Sequence, residues 1–346
     1  MSEKRNASID ITKFVLAVIV VMFHSATECL GTEHMAVRVV EYGGRFAVQF
    51  FLMVSGYYFT KMLVEKGTGF KRFFFRMMKI YLLWSAVYIS LSFAVNVIMQ
   101  GESAGDAMLR YVKNFFFVGS YWHLWYMVGL IYALCLTAFC YKIAKERGLQ
   151  ILLGISIVFF VFGALCYAYT PWMEKIVWLK PYLNTSWFSS FLEIVCLGIP
   201  CFVWGYAVVL FQKKGLLHPK RDKILLVLSI ILYTAEFWVI VAFTGNTHIR
   251  SLMSTHVLTF FMMLVLLEHP ASGLEKQGLV CKDYSTYLYL AHPLFIAIFS
   301  AAEGMLGIRQ PAVCYVLEVL LFTLLGRAVL RRCKQIRVRR SVTDEK

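Results

Sequence analysis

Three histidines sit inside long apolar runs, each in company suited to chemistry. The first is His24, preceded by Asp10 and Lys13. At about 100° and 1.5 Å per helical residue, Lys13 and His24 fall about 20° apart around the axis and about 16 Å apart along it. Asp10 lies about 40° to the other side of His24, so one stripe carries a carboxylate, an ammonium and an imidazole. An imidazole titrates near neutrality and serves as a general base. The plainer alternative keeps Asp10 and Lys13 as interfacial anchors and His24 as a packed, hydrogen-bonded residue. The second histidine closes Tyr284-Ser285-Thr286-Tyr287-Leu288-Tyr289-Leu290-Ala291-His292-Pro293. Proline there removes a backbone donor and leaves a carbonyl for a cavity. The third stands in Trp122-His123-Leu124-Trp125-Tyr126, where an interfacial aromatic belt explains the Trp and Tyr residues but not His123.

Other residues could join them. Glu193, Glu236, His256 and Glu318 are ionisable groups inside apolar runs, costly there and candidates for that reason. They either ring a polar cavity at the level of His24 or stand singly, protonated or paired. Segment 44–58 carries Ser55-Gly56-Tyr57, whose small residues admit a second helix or a ligand close to the backbone. Segment 61–79 interleaves Lys71, Arg72, Arg76 and Lys79 with Phe73, Phe74 and Phe75.

The elements that must hold these residues are membrane helices. The chain is 60% apolar and 16% charged, against about 45–50% and about 25% for soluble domains. Crossing the hydrocarbon core takes about 20 mostly apolar residues. The sequence supplies that pattern about ten times, over 9–28, 46–65, 78–99, 122–144, 149–170, 187–211, 223–243, 251–268, 283–302 and 311–330. The 283–302 run is the most polar. This is an all-α, polytopic membrane fold, expected to comprise a transmembrane domain over 1–333 and a basic tail over 334–346. Segment 105–117 mixes Leu, Tyr and Phe with Arg110 and Lys113 and suits a short helix on the outer surface. With ten spans, 27 of the 35 Lys and Arg residues fall on one side and eight on the other. The positive-inside rule puts the first side, with both termini, in the cytoplasm.

That asymmetry accounts for the net charge of +15 without nucleic acid, because the basic residues flank spans. None of the nine cysteines forms a C-x-x-C pair, and most lie within spans, where Cys acts as a small hydrophobe. Neither disulfides nor a metal site is expected. No cleavable signal, internal repeat, dinucleotide fingerprint or P-loop is recognised.

Taken together, these segments resemble the acyltransferase-3 family of membrane proteins. The family opens with D-x-x-R, ten residues and His, and continues with G-x-x-x-V-x-x-F-F-x-x-S-G-[FY], basic residues entering the third span, H-L-W-[FY] and a Y-x-x-Y-L-x-H-x-P-like segment. The matching residues are Asp10 and His24, Gly44 through Tyr57, Arg72 and Arg76, His123 through Tyr126, and Tyr284 through Pro293. Leu52 replaces the second Phe, and Lys13 replaces the family's Arg. Lys offers a point charge where Arg offers a planar fork. The resemblance implies transfer of an acyl group, often acetyl, from cytoplasmic acyl-CoA to a cell-envelope carbohydrate or another acceptor. It implies His24 as general base or acyl carrier, with Asp10 and Lys13 organising the cytoplasmic mouth. Arg72 and Arg76, with Lys71 beside them, would grip the coenzyme A phosphates, and Ser55, Gly56 and Tyr57 would line the channel. His292 would position the acceptor, with His123, Trp125, Tyr287, Glu193 and Glu318 as further substrate-side candidates.

The wording around Ser55–Tyr58 and His123–Tyr126 is also similar to the membrane module of VanT-type serine racemases of glycopeptide-resistant bacteria. That likeness implies a module for L-serine uptake or binding, using a carboxylate such as Glu193 or Glu318 and independent of Arg72 and Arg76. No segment resembling the soluble racemase is present, so racemisation is not expected of these residues.

Overall fold

The computed structural model describes residues 6–32, 34–183, 185–245, 249 and 251–344, and no strand occurs among them. In chain order the helices are α1 (Ala7–Leu30), α2 (Met35–Gly44), α3 (Ala47–Lys66) and α4 (Phe70–Phe93), the last continued by a π-helical turn, π1 (Ala94–Met99). Then come α5 (Ala104–Phe117), α6 (Trp125–Ala168), the short α7 (Thr170–Met173) and α8 (Ser186–Phe191), and a second π-helical segment, π2 (Leu192–Gly198). The chain ends with α9 (Ile199–Lys213), α10 (Pro219–Thr244), α11 (Ser254–Glu268), α12 (Glu275–Leu306) and α13 (Ala312–Asp344).

Eight helical stretches among the described residues are long and apolar enough to cross a membrane. One of them, α6, breaks at Ala144 (φ −131°) and Lys145 (φ 51°). The chain folds back there so tightly that a side chain on Gly148 would overlap the Cys140 carbonyl. Each arm of this hairpin is long enough for a span of its own, matching the expected pair 122–144 and 149–170. The run expected over 251–268 is the shorter α11, of 15 residues. The polar run 283–302 lies inside α12, which qualifies by length and composition. The expected basic tail continues α13 as helix to Asp344.

The chain divides into two compact units, Met1–Ala47 with Pro270–Lys346, and Val48–His269. In the first, α1 packs along α12, and both pack on α13. Asn6 starts α1 by accepting a hydrogen bond from the Ile9 N–H. Gly278 of α12 lies against Ala7, the Ala271 N–H donates to Ser8 Oγ, and Ser300 Oγ donates to Glu28 Oε1 at 2.7 Å. Residue numbers rise together along both helices, so α1 and α12 run parallel. On α13 they fall instead: Arg327 pairs with Asp283, and Tyr315 meets Ser300, so α13 runs antiparallel to α12.

In the second unit, the α6 hairpin packs on π2 and α9, and α10 packs on α11. Glycine sets two close approaches. A Cβ on Gly56 of α3 would overlap the Phe202 carbonyl of α9, and one on Gly205 would overlap the Tyr57 backbone nitrogen. Small residues let membrane helices reach such separations, where van der Waals packing replaces a missing hydrophobic drive. Helix α5 carries three faces. Ala107 and Tyr111 are buried, Met108, Leu109 and Val112 are exposed, and Arg110 forms a bidentate ion pair with Glu102 at 2.6 and 2.7 Å.

Candidate active site

The arrangement with most chemistry in it lies between α1 and α12. The rings of His24 and His292 stack with centroids 5.3 Å apart and planes 14° from parallel. His292 is fully buried and His24 half-buried. About 25 Å of helix separates each from the Ala7 and Glu275 ends of α1 and α12. The parallel run of these helices is what brings together two histidines remote in sequence.

His292 also has a fixed orientation. Its Nδ1 lies 2.9 Å from the Leu288 carbonyl, one turn back on α12. A carbonyl oxygen accepts and never donates, so Nδ1 carries the hydrogen and Nε2 carries the lone pair. Pro293 follows inside the helix and, lacking an N–H, leaves the helical hydrogen-bond ladder one bond short at this level.

Polar groups continue along α1 on both sides of the pair. Asp10 is buried at 4% exposure. Lys13 is half-buried on the same helix. One turn further along α1 from His24 stands Glu28, which accepts from Ser300 Oγ, and Ser300 also lies 3.0 Å from the Tyr315 hydroxyl of α13. The sequence reading passed over Glu28 although the signal was available, because position 28 lies only about 40° around the helix from His24.

This chain matches the acyltransferase domain over residues 6–332. It belongs to the acyltransferase-3 family. Two curated relatives are 24% identical to it: an amino-acid racemase of Enterococcus faecalis, over 85% of this chain and 42% of its own length, and a serine/alanine racemase of Enterococcus gallinarum, over 92% and 45%. The chain thus spans less than half the length of these relatives. No solved structure matches it.

The other family positions in this acyltransferase-3 chain are spread more widely. Lys71, Arg72 and Arg76 are exposed within the first two turns of α4, and the Arg76 guanidinium lies 5.9 Å from the Phe73 ring centroid. Arg72 and Arg76, four residues apart, share a helix face. Ser55 donates to the Phe51 carbonyl, Gly56 gives α9 its close approach, and the buried Tyr57 hydroxyl donates to Gln212 Oε1 at 2.8 Å. His123 is buried among Tyr88, Tyr121 and Trp122, with ring centroids at 4.9, 5.8 and 5.3 Å. Trp125 begins α6.

Tyr287 faces α13, beneath Arg327 and against Gly326, about 140° around α12 from His292. Glu318 accepts from Gln310 Nε2 at 2.9 Å. Glu193 is half-buried in π2, and single π-helical turns recur at functional sites. Of the two readings left open for the intramembrane ionisable residues, two residues take the separate one. Glu236 accepts from the backbone N–H groups of Met253 and Ser254, both at 2.8 Å, and so satisfies the start of α11. His256 sits between Phe160 and Trp204, and neither of its ring nitrogens has a hydrogen-bond partner. Among the described residues no group of three or more His, Cys, Asp or Glu is placed to hold a metal ion.

Proposed function

We propose that this acyltransferase-3 protein moves an acyl group, acetyl by the family's habit, from cytoplasmic acyl-CoA to a hydroxyl or amine of a cell-envelope carbohydrate or small acceptor. The reading places the chain in the cell membrane with both termini cytoplasmic. The observation that supports it best is the His24–His292 stack, an imidazole pair held deep between two helices of a family chain. His24 takes the proton from the acceptor as its oxygen or nitrogen bonds to the thioester carbonyl carbon. The carbon–sulfur bond then breaks, and the departing coenzyme A thiolate takes up that proton. Asp10 and Lys13 organise the cytoplasmic end of the same stripe.

Arg72 and Arg76, with Lys71, bind the coenzyme A phosphates through charge-assisted hydrogen bonds. Helix polarity supports this. Three cations in the first two turns of α4 oppose the partial positive charge of a helix N-terminus, and a bound phosphate relieves both. Ser55 and Tyr57 are the channel-lining candidates. Gly56 already serves helix packing.

A second reading is favoured by the two relatives named as racemases. In it the chain is a membrane module that binds or carries L-serine, with Glu193 or Glu318 holding the amino group. Calorimetric titration with acetyl-CoA and, separately, with L-serine distinguishes the two. Acetyl-CoA binding weakened at least about tenfold in Arg72→Ala/Arg76→Ala supports the transferase, since two charge-assisted contacts are removed. Serine binding that survives in that variant, with no response to acetyl-CoA, establishes the module instead.

A further inference from the structure

Glu28 has more support than an exposed side chain needs. It stands one turn beyond His24 on α1, and it is open to solvent where His24 is half-buried. Ser300 of α12 donates to Glu28 Oε1 at 2.7 Å. The same Ser300 oxygen lies 3.0 Å from the hydroxyl of Tyr315 on α13. Tyr315 is fully buried, and its hydroxyl also reaches the Ile296 carbonyl at 3.0 Å. Ser55, Thr60, Thr259 and Thr323 spend their hydroxyls on a carbonyl one turn back in their own helices. Ser300 instead reaches across to a carboxylate on another helix. Ordering an exposed Glu costs side-chain entropy, and water alone would satisfy it. A carboxylate anchored through two hydroxyls to the packing of three helices is pre-organised for a ligand.

What it holds follows from the acyl-transfer reading above, on which the inference rests. In that reading the donor enters at the Asp10 and Lys13 end of α1, so the acceptor reaches His24 from the Glu28 end. Glu28 lies about 6 Å along the helix from His24 and about 40° around it. An acceptor with its reacting hydroxyl at His24 and a second polar group on a neighbouring carbon bridges that gap. An ionised carboxylate accepts and never donates, and it bonds a cationic donor about twice as strongly as a neutral one. We propose that Glu28 binds an ammonium group of the acceptor, so that the site selects amino alcohols, among them sugars with a free amino group. The hydroxyl is the group acylated. Its oxygen bonds to the thioester carbonyl carbon while its proton passes to His24. The carbon–sulfur bond breaks, and the departing thiolate takes up that proton. The ammonium stays on Glu28 and keeps its own protons. Ser300 is a positioning residue that acts through Glu28.

The test uses the purified full chain with acetyl-CoA and two alcohols of one shape. One is 2-(dimethylamino)ethanol, an ammonium at neutral pH, whose tertiary nitrogen leaves the hydroxyl as the stable site for an acetyl group. The other is the neutral 3-methylbutan-1-ol. The expected wild-type kcat/KM is at least about tenfold higher for the amino alcohol, most of it in KM, the worth of one charge-assisted hydrogen bond. In Glu28→Gln the ratio falls toward one. In Glu28→Asp, which keeps the charge on a shorter arm, part of the preference remains. Ser300→Ala, which lets the carboxylate turn away, gives an intermediate ratio. Acetyl-CoA binding, measured in parallel, reports whether each variant is folded. Equal use of both alcohols by the wild type overturns the proposal, and so does a preference that survives in Glu28→Gln. A chain that binds acetyl-CoA and acetylates neither alcohol overturns it as well. In each of these cases the binding keeps the donor side of the transferase reading intact. If acetyl-CoA does not bind and no acetyl group is transferred, that reading falls, and the proposal falls with it.

Discussion

The two compact units differ in what their buried and half-buried ionisable groups meet. In the unit built from both ends of the chain, two ionisable groups meet across helices: buried His292 meets His24, and the half-buried Arg327 meets Asp283. In the unit between residues 48 and 269, the half-buried Glu236 meets backbone N–H groups and the neutral Tyr169 hydroxyl, and the buried His256 meets two aromatic rings. A carboxylate spent on a helix start is structural, and removing it exposes orphaned donors. A histidine between rings adds volume and no reachable hydrogen bond. The contrast teaches that burial alone is a poor mark of chemistry in a membrane protein. Two ionisable groups facing each other across two helices are a better one.

The largest effect that can break this contrast is structural. Gly205→Leu puts a branched side chain where even a Cβ overlaps the Tyr57 backbone. Overpacking a dense core costs at least about 1–3 kcal/mol, and a backbone clash costs more. No monodisperse protein is expected in detergent chromatography, whereas normal elution would mean that α3 and α9 part easily. Next comes a matched pair of substitutions. His24→Ala should lower acyl transfer by about 10²–10⁴-fold, the usual worth of a general base. His256→Phe, which replaces an unsatisfied buried imidazole with a similar apolar ring, should leave transfer near wild type and thermal stability equal or higher. Equal activity losses in the two variants would erase the distinction between the units. The smallest effect belongs to the surface. The Arg110–Glu102 pair is bidentate but open to solvent. Its loss in Arg110→Ala is expected to cost at most about 1 kcal/mol and to shrink further in high salt.

The spans were legible because crossing a bilayer imposes length and apolarity on the sequence itself. Lys142, Lys145 and Arg147 interrupt the apolar pattern where α6 turns back. The amphipathic pattern of 105–117 likewise announced α5. The stripe of Asp10, Lys13 and His24 needed only helical periodicity. What opposes that stripe could not be read. His24 and His292 are 268 positions apart, and their meeting depends on α1 and α12 running parallel, which no local pattern encodes. Glu236 looked like a site residue for the same reason, since the N–H groups it satisfies belong to the start of another helix. Nothing in the composition of 192–198 marks its π-helical winding, because that depends on neighbours and not on propensity.

The discontinuous unit has a consequence for biosynthesis. Helix α1 leaves the ribosome first, yet the helix it packs along begins at Glu275. Translation at about 5–20 residues per second leaves an interval of about ten seconds to a minute between them. Through that interval Asp10, Lys13 and His24 sit in or beside the bilayer without α12. The newborn chain must shelter them with water, lipid headgroups or the insertion machinery until its last fifth arrives. The residues most useful to the finished protein are thus a hazard to the unfinished one, and a chain truncated before residue 275 should be recognised and degraded faster than one that reaches α13.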